Sequence, residues 1–332
     1  MKKHIILFLL LLSIIAVSCK NKTKTSTTIP NSFSEDKLDI PEFSSDSSYN
    51  FVKEQTDFGP RVPGTDAHTQ CAIYLTEKLS EYVDTVLVQD FKARVYSGKI
   101  FDGQNIIGVV NKEANKRILL CAHWDSRPYA DHDPDPENLF TPIDGANDGA
   151  SGVGVLLEIA RLTKLKKPNV GLDIIFFDLE DYGPPESIQT FSDGEEWGLG
   201  AQYWAKQPHQ YNYNAYYGIL LDMVGGYNSK FYKEQFSVYY AKEIVDKIWD
   251  LAYKMGYSDY FINREGIYVT DDHLFVNKYA NIPTINIIHQ NPQSSENPFY
   301  EHWHTVNDNL ENIDPQMLDV VGKVLTKAIY LE

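Results

Sequence analysis

Short runs of apolar, β-branched and aromatic residues recur along this chain, and stretches with helical spacing lie between them. Residues 117–122 (RILLCA) and 171–178 (GLDIIFFD) are nearly continuous apolar runs, the pattern of strands buried on both faces. Residues 216–223 and 284–289 repeat it, and 83–89, 91–95 and 105–110 are also strand-like. Between them, residues 151–163 carry Val155, Ile159 and Leu162 at the spacing of one helix face. Helical spacing also marks 66–82, about 235–255 and 315–330. Strands alternating with helices predict an α/β fold, a single globular domain whose central, mostly parallel twisted sheet is flanked by helices on both faces. In such folds ligands bind beyond the carboxyl ends of the strands.

The N-terminus reads differently. Lys2 and Lys3 precede residues 5–17, which are apolar except for Ser13. That run is too short to favour a spanning helix and has the form of a secretory leader. It ends Ala16-Val17-Ser18-Cys19, which resembles a bacterial lipoprotein cleavage site. The expected organisation is a signal peptide over 1–18, a lipidated Cys19 with a polar tether to residue 45, and a catalytic domain over 46–332. An exported lipoprotein, membrane-anchored through Cys19 and facing the periplasm, follows from it. The net charge of −16, with no basic cluster, argues against a nucleic-acid partner. Cys71 and Cys121 are too few for a disulfide framework, which leaves one bridge or two buried thiols.

The carboxyl ends of the expected strands collect one kind of chemistry. His123-Trp124-Asp125 follows one strand, Asp178-Leu179-Glu180-Asp181 another, and Asp222 ends a third. The loop before the 151–163 helix holds Asp144 to Gly149, including Asp148, and His302-Trp303-His304 comes near the end. Carboxylates and imidazoles converging on one sheet edge suit a zinc site with an open position.

These residues resemble the zinc exopeptidase superfamily that contains the single-chain aminopeptidases and the animal-type glutaminyl cyclases. FGPRVPG (58–64), HWDS (123–126), GANDGASGVGVLLEIAR (145–161), FFDLEDYG (176–183), LLDMVG (220–225), DDH (271–273) and WHTVNDNLENID (303–314) match its motifs in order. The resemblance implies that Asp148, Asp181 and His304 are zinc ligands and that Glu180 is the general acid/base. It implies that Asp222 and Asp271 are carboxylates around the reacting centre. His123 matches a position that binds a second metal in the aminopeptidases and is left unbound in the cyclases, with Asp125 as its partner.

Three details lean toward the cyclases, and toward their bacterial branch. Trp303 stands directly before His304, where the cyclases have a pocket wall; position 181 is Asp where aminopeptidases and animal cyclases usually have Glu; and Asp271-Asp272-His273 matches the cyclase element. The implied reaction converts the N-terminal Gln of a peptide or exported protein to pyroglutamate with release of ammonia, one zinc ion polarising the side-chain amide. The alternative is a two-zinc aminopeptidase that also uses His123 and Asp222. Residues 182–199 are read either as a pocket rim with Trp197 as a second aromatic wall or as a solvated loop. Residues 127–143 are read as a Pro-stiffened surface loop in which His132 is not a ligand.

Overall fold

The computed structural model describes residues 39–188, 195–294 and 297–332. The expected leader, Cys19 and the tether as far as residue 38 lie outside the described residues. Among the described residues no helix is long and apolar enough to cross a membrane.

The first helix is one that the sequence pattern did not mark. α1 (Ser45–Thr56) starts where the Ser44 hydroxyl accepts the Ser47 N–H at 3.2 Å. Just before it, Phe43 is buried against Gly322, where any side chain would collide with its ring. The folded body therefore begins ahead of residue 46, and the tether boundary expected at 45 moves toward the N-terminus. After α2 (Asp66–Ser80) comes the hairpin of β1 (Thr85–Arg94) and β2 (Ile100–Val110). The two stretches expected at 83–89 and 91–95 are one strand, running through Asp90 on a largely exposed edge.

Alternation follows: β3 (Arg117–His123), α3 (Ala150–Leu165), β4 (Gly171–Phe177), α4 (Leu199–Lys206) and β5 (Tyr217–Asp222). Next are β6 (Phe231–Lys233), α5 (Gln235–Lys254), β7 (Phe261–Glu265) and α6 (Asp272–Phe275), which runs on into a π-helical turn at Val276–Ala280. β8 (Thr284–Ile288) and α7 (Pro315–Tyr330) complete the fold. The main sheet has the order β1-β2-β4-β3-β5-β8. The last four are mutually parallel, and the β1–β2 hairpin extends them antiparallel.

The near-continuous apolar runs have a direct cause. Ile118, Leu120 and Ala122 of β3 face the core under α1, α3, α5 and α7, while Leu119 and Cys121 face a second core under α4 and α6. With helices on both faces a polar residue is left a place only where it is paired, as Asp173 of β4 is with Arg117. Each fully buried Leu or Ile contributes about 1.5–3 kcal/mol relative to exposure. The registers His123↔Phe177 and Asp222↔Ile288 bring the parallel strands to an end at one edge.

Candidate active site

At that edge His123 meets three carboxylates. Its Nε2 is 2.9 Å from Asp148 Oδ1 and 3.3 Å from Asp222 Oδ1, and its Nδ1 is 3.5 Å from Asp125 Oδ1. Asp148 is carried by the loop before α3. Asp308 holds that loop, its carboxylate accepting the N–H groups of Asn147 and Asp148 at 2.8 and 3.1 Å. Gly149 is required by close approach, because a Cβ there would lie 2.6 Å from the His123 ring.

Asp148 also faces a second group. His304 Nε2 is 3.4 Å from Asp181 Oδ1 and 3.7 Å from Asp148 Oδ2, and donor atoms of the three residues all lie within 4.8 Å of one another. Asp181 Oδ2 is buried without a hydrogen-bond partner. Burial and then the Asp148 carboxylate push Asp181 above its usual pKa. Two buried carboxylates and an imidazole, with one oxygen unused, fit a zinc ion. The residues that the sequence assigned as ligands are therefore brought together. A third grouping, Asp131 with His132 and His304, has similar spacing, but both Asp131 oxygens accept from Arg127.

Glu180 enters the same cavity, as do Asp222 and Asp271. Burial pushes Glu180 well above the ordinary carboxylate range; His123 opposes this, and Asp271 and Asp181 reinforce it. Burial, followed by the Asp148 charge, lifts Asp222 to about 8. Asp271 caps α6 through the Asp272 N–H at 2.6 Å, and its other oxygen accepts from Asn286 Nδ2 at 2.6 Å. Leu179, Met223 and His304 all hold positive φ, at 55°, 47° and 55°. Such backbone costs of the order of 1 kcal/mol or more per residue, and it clusters here around the reacting groups.

Aromatic rings wall the cavity, whose volume is about 200 Å³. Trp303 stacks on His304 with centroids 3.9 Å apart and touches Phe299 at 4.7 Å. Trp197 lies nearly parallel to the His304 ring, at 14° and 6.4 Å. Of the described residues in 182–199, Trp197 lines the cavity, whereas Glu186, Ser187, Ile188 and Glu195 are exposed. Tyr268, Val269, Ile288 and Phe299 line the cavity too, and no motif marked them.

The loop over 127–143 is not simply a surface loop. Arg127 is 1% exposed and bonded to Asp181, and Asp131 lies 3.3 Å from His304 Nδ1. The backbone N–H of His132 donates to the His304 carbonyl at 3.1 Å, stapling the loop to the ligand segment. Charged and Pro-rich composition suggested solvation, whereas these charges are paired inside. Asp178 turns away from the site and accepts from Gln104 N at 2.7 Å, with His68 Nε2 at 2.8 Å. Cys71 and Cys121 are both free and buried.

The family model described as peptidase family M28 matches residues 105–329. The chain belongs to peptidase family M28. Among solved structures, this M28 member is similar to Bacteroides thetaiotaomicron glutaminyl cyclase bound to N-acetylhistamine, with 49% identity, TM-score 0.86 and coverage of 88% of this chain and 99% of that one. It is similar to a leucine aminopeptidase precursor from Bacteroides thetaiotaomicron VPI-5482, at 49% identity, TM-score 0.85 and the same coverage. A Drosophila melanogaster glutaminyl-peptide cyclotransferase is 27% identical over 295 residues, 80% of this chain and 75% of that protein.

Proposed function

We propose that this protein is a glutaminyl-peptide cyclotransferase that closes the N-terminal Gln of peptides to pyroglutamate and releases ammonia. The observation that carries it is the small aromatic-walled cavity in which Glu180 faces the Asp148–Asp181–His304 group. Likeness to the bacterial glutaminyl cyclase over almost its whole length supports it.

A zinc ion held by Asp148, Asp181 and His304 would supply a Lewis acid for the side-chain amide carbonyl. Glu180 takes a proton from the α-amine as the new C–N bond forms, and gives it to the amide nitrogen that leaves as ammonia. A carboxyl raised by burial suits both halves of that transfer. Asp222 and Asp271, on either side, accept hydrogen bonds from the amine. Trp197, Phe299 and Trp303 hold the substrate coiled, so that its two reacting groups meet, and keep out the water that would hydrolyse the amide instead.

We further propose a single catalytic zinc. His123, Asp148 and Asp222 also bring donor atoms within 4.8 Å, and this favours the second reading, a two-zinc aminopeptidase. Titrating zinc into metal-stripped enzyme while following ammonia from a Gln peptide separates them. Activity that saturates at one equivalent supports the cyclase. A requirement for two equivalents, with amino acids released in place of ammonia, contradicts it. The leader-like N-terminus, with Cys19 after Ala16-Val17-Ser18, supports an exported lipoprotein acting on exported proteins with N-terminal Gln. Loss of palmitate labelling in Cys19→Ser would bear this out, and retained labelling would contradict it.

A further inference from the structure

The guanidinium of Arg127 lies directly behind the proposed ligand set. Its Nε and Nη2 donate to the two oxygens of Asp131 at 2.7 and 2.6 Å. Nη1 donates to the carbonyl oxygen of Asp181 at 3.1 Å and to its Oδ1 at 3.3 Å, and Nη2 reaches the Pro184 carbonyl at 3.2 Å. The Trp197 ring centroid is 4.9 Å from the guanidinium carbon. Asp131 Oδ1 in turn is 3.3 Å from His304 Nδ1, an ion-pair separation that falls short of hydrogen-bond geometry, so the carboxylate acts on that nitrogen through its charge.

A cation this deeply buried is tolerated only where its partners offset the loss of water. Here the partners belong to the site itself. An aspartate at 181 reaches one methylene less far than a glutamate, so its direction depends more on what holds it. Arg127 holds it twice, through backbone and side chain. The same guanidinium fixes Asp131, whose carboxylate favours the proton of His304 on Nδ1. That leaves Nε2, the nitrogen facing Asp181 and Asp148, as the bare one.

We propose that Arg127 is a positioning residue for the metal site. One guanidinium sets the direction of Asp181, the tautomer of His304 through Asp131, and the attitude of the Trp197 wall. The proposal rests on Asp148, Asp181 and His304 being the zinc ligands and not on which reaction they serve. Lysine cannot replace it, since an ammonium keeps the charge and loses the planar fork.

The test is zinc affinity, read by competition with a chromophoric chelator, in wild type, Arg127→Lys, Arg127→Met and Asp131→Asn. Melting of the metal-free proteins and kcat and KM at saturating zinc accompany it. Both Arg127 variants are expected to bind zinc about 10–100-fold more weakly. Asp131→Asn should weaken it less, and should add nothing on top of Arg127→Met, because the two act through one path. At saturating zinc, KM for a Gln peptide should stay raised in Arg127→Met and recover partly in Arg127→Lys, whose charge can still lie over Trp197. Wild-type zinc affinity in both Arg127 variants would overturn the proposal. If Arg127→Met does not fold, Arg127→Lys and Asp131→Asn carry the same test. A wild-type protein that binds no zinc would overturn the ligand assignment and this proposal with it.

Discussion

The carboxylate of Asp125, just beyond the end of β3, accepts the backbone N–H of Glu180 at 3.1 Å. Its second oxygen accepts the N–H of Asp181, also at 3.1 Å. One side chain thus sets the spacing between Glu180, the proposed general base, and Asp181, its proposed metal-binding neighbour. Asp125→Asn turns one acceptor toward repulsion with an N–H. It should lower kcat/KM about 10–100-fold, as loss of an outer-shell partner does. Wild-type kinetics in that variant would show that the β3 and β4 ends hold the site without it.

Glu180→Gln separates binding from proton transfer. The variant should keep its zinc and lose turnover by about 10²–10⁴-fold. His304→Ala should lose the zinc as well. Metal analysis of the two purified proteins checks this, and equal zinc loss in both would contradict the assignment of Glu180 as base.

Trp303→Ala removes a ring stacked on His304 and packed on Phe299. Such contacts are worth about 0.5–1.5 kcal/mol beyond buried area. A loss of that size in substrate binding would raise KM for a Gln peptide roughly two- to thirteenfold. Steady-state kinetics at saturating zinc read it directly.

Glu234 and His273 form a buried pair at 2.9 Å that anchors the segment bearing Asp271. Burial raises Glu234, but the His273 charge and hydrogen bond, together with the hydrogen bonds from Ser237 and Phe236, outweigh it, so its folded pKa lies below the ordinary 4.5. Burial lowers His273, but Glu234, then Asp271 and Asp222, raise it above 6.5. The Glu234 contribution is present above its unfolded value and is lost as pH falls through the folded one. The His273 contribution is full below 6.5 and is lost as pH rises through its folded pKa. Melting of wild type minus Glu234→Gln should therefore differ most between about pH 5 and 6.5 and shrink on both sides. A difference independent of pH would contradict the charged pair.

The sheet was legible because strands covered on both faces leave an unbroken apolar run, as in 117–122 and 171–178. The site was legible because its donors end those strands: His123, Glu180, Asp181 and Asp222 all fall within a few residues of a strand end. What escaped lacks local periodicity. Arg127 and Asp131 look like solvated charges until the chain folds Asp181 and His304 against them. Phe299 and Tyr268 come to the cavity from segments with no motif of their own. Helix α1 escaped because Ser, Asp and Asn dominate its first turns, while its apolar residues pack on α3 and α7.

The most direct test of the account gives the enzyme Gln-Ala and Leu-Ala in parallel. The account predicts ammonia and pyroglutamyl-Ala from the first and no free Leu from the second. Free Leu without ammonia would contradict it, and would mean that the aromatic cavity serves a peptide-bond hydrolase.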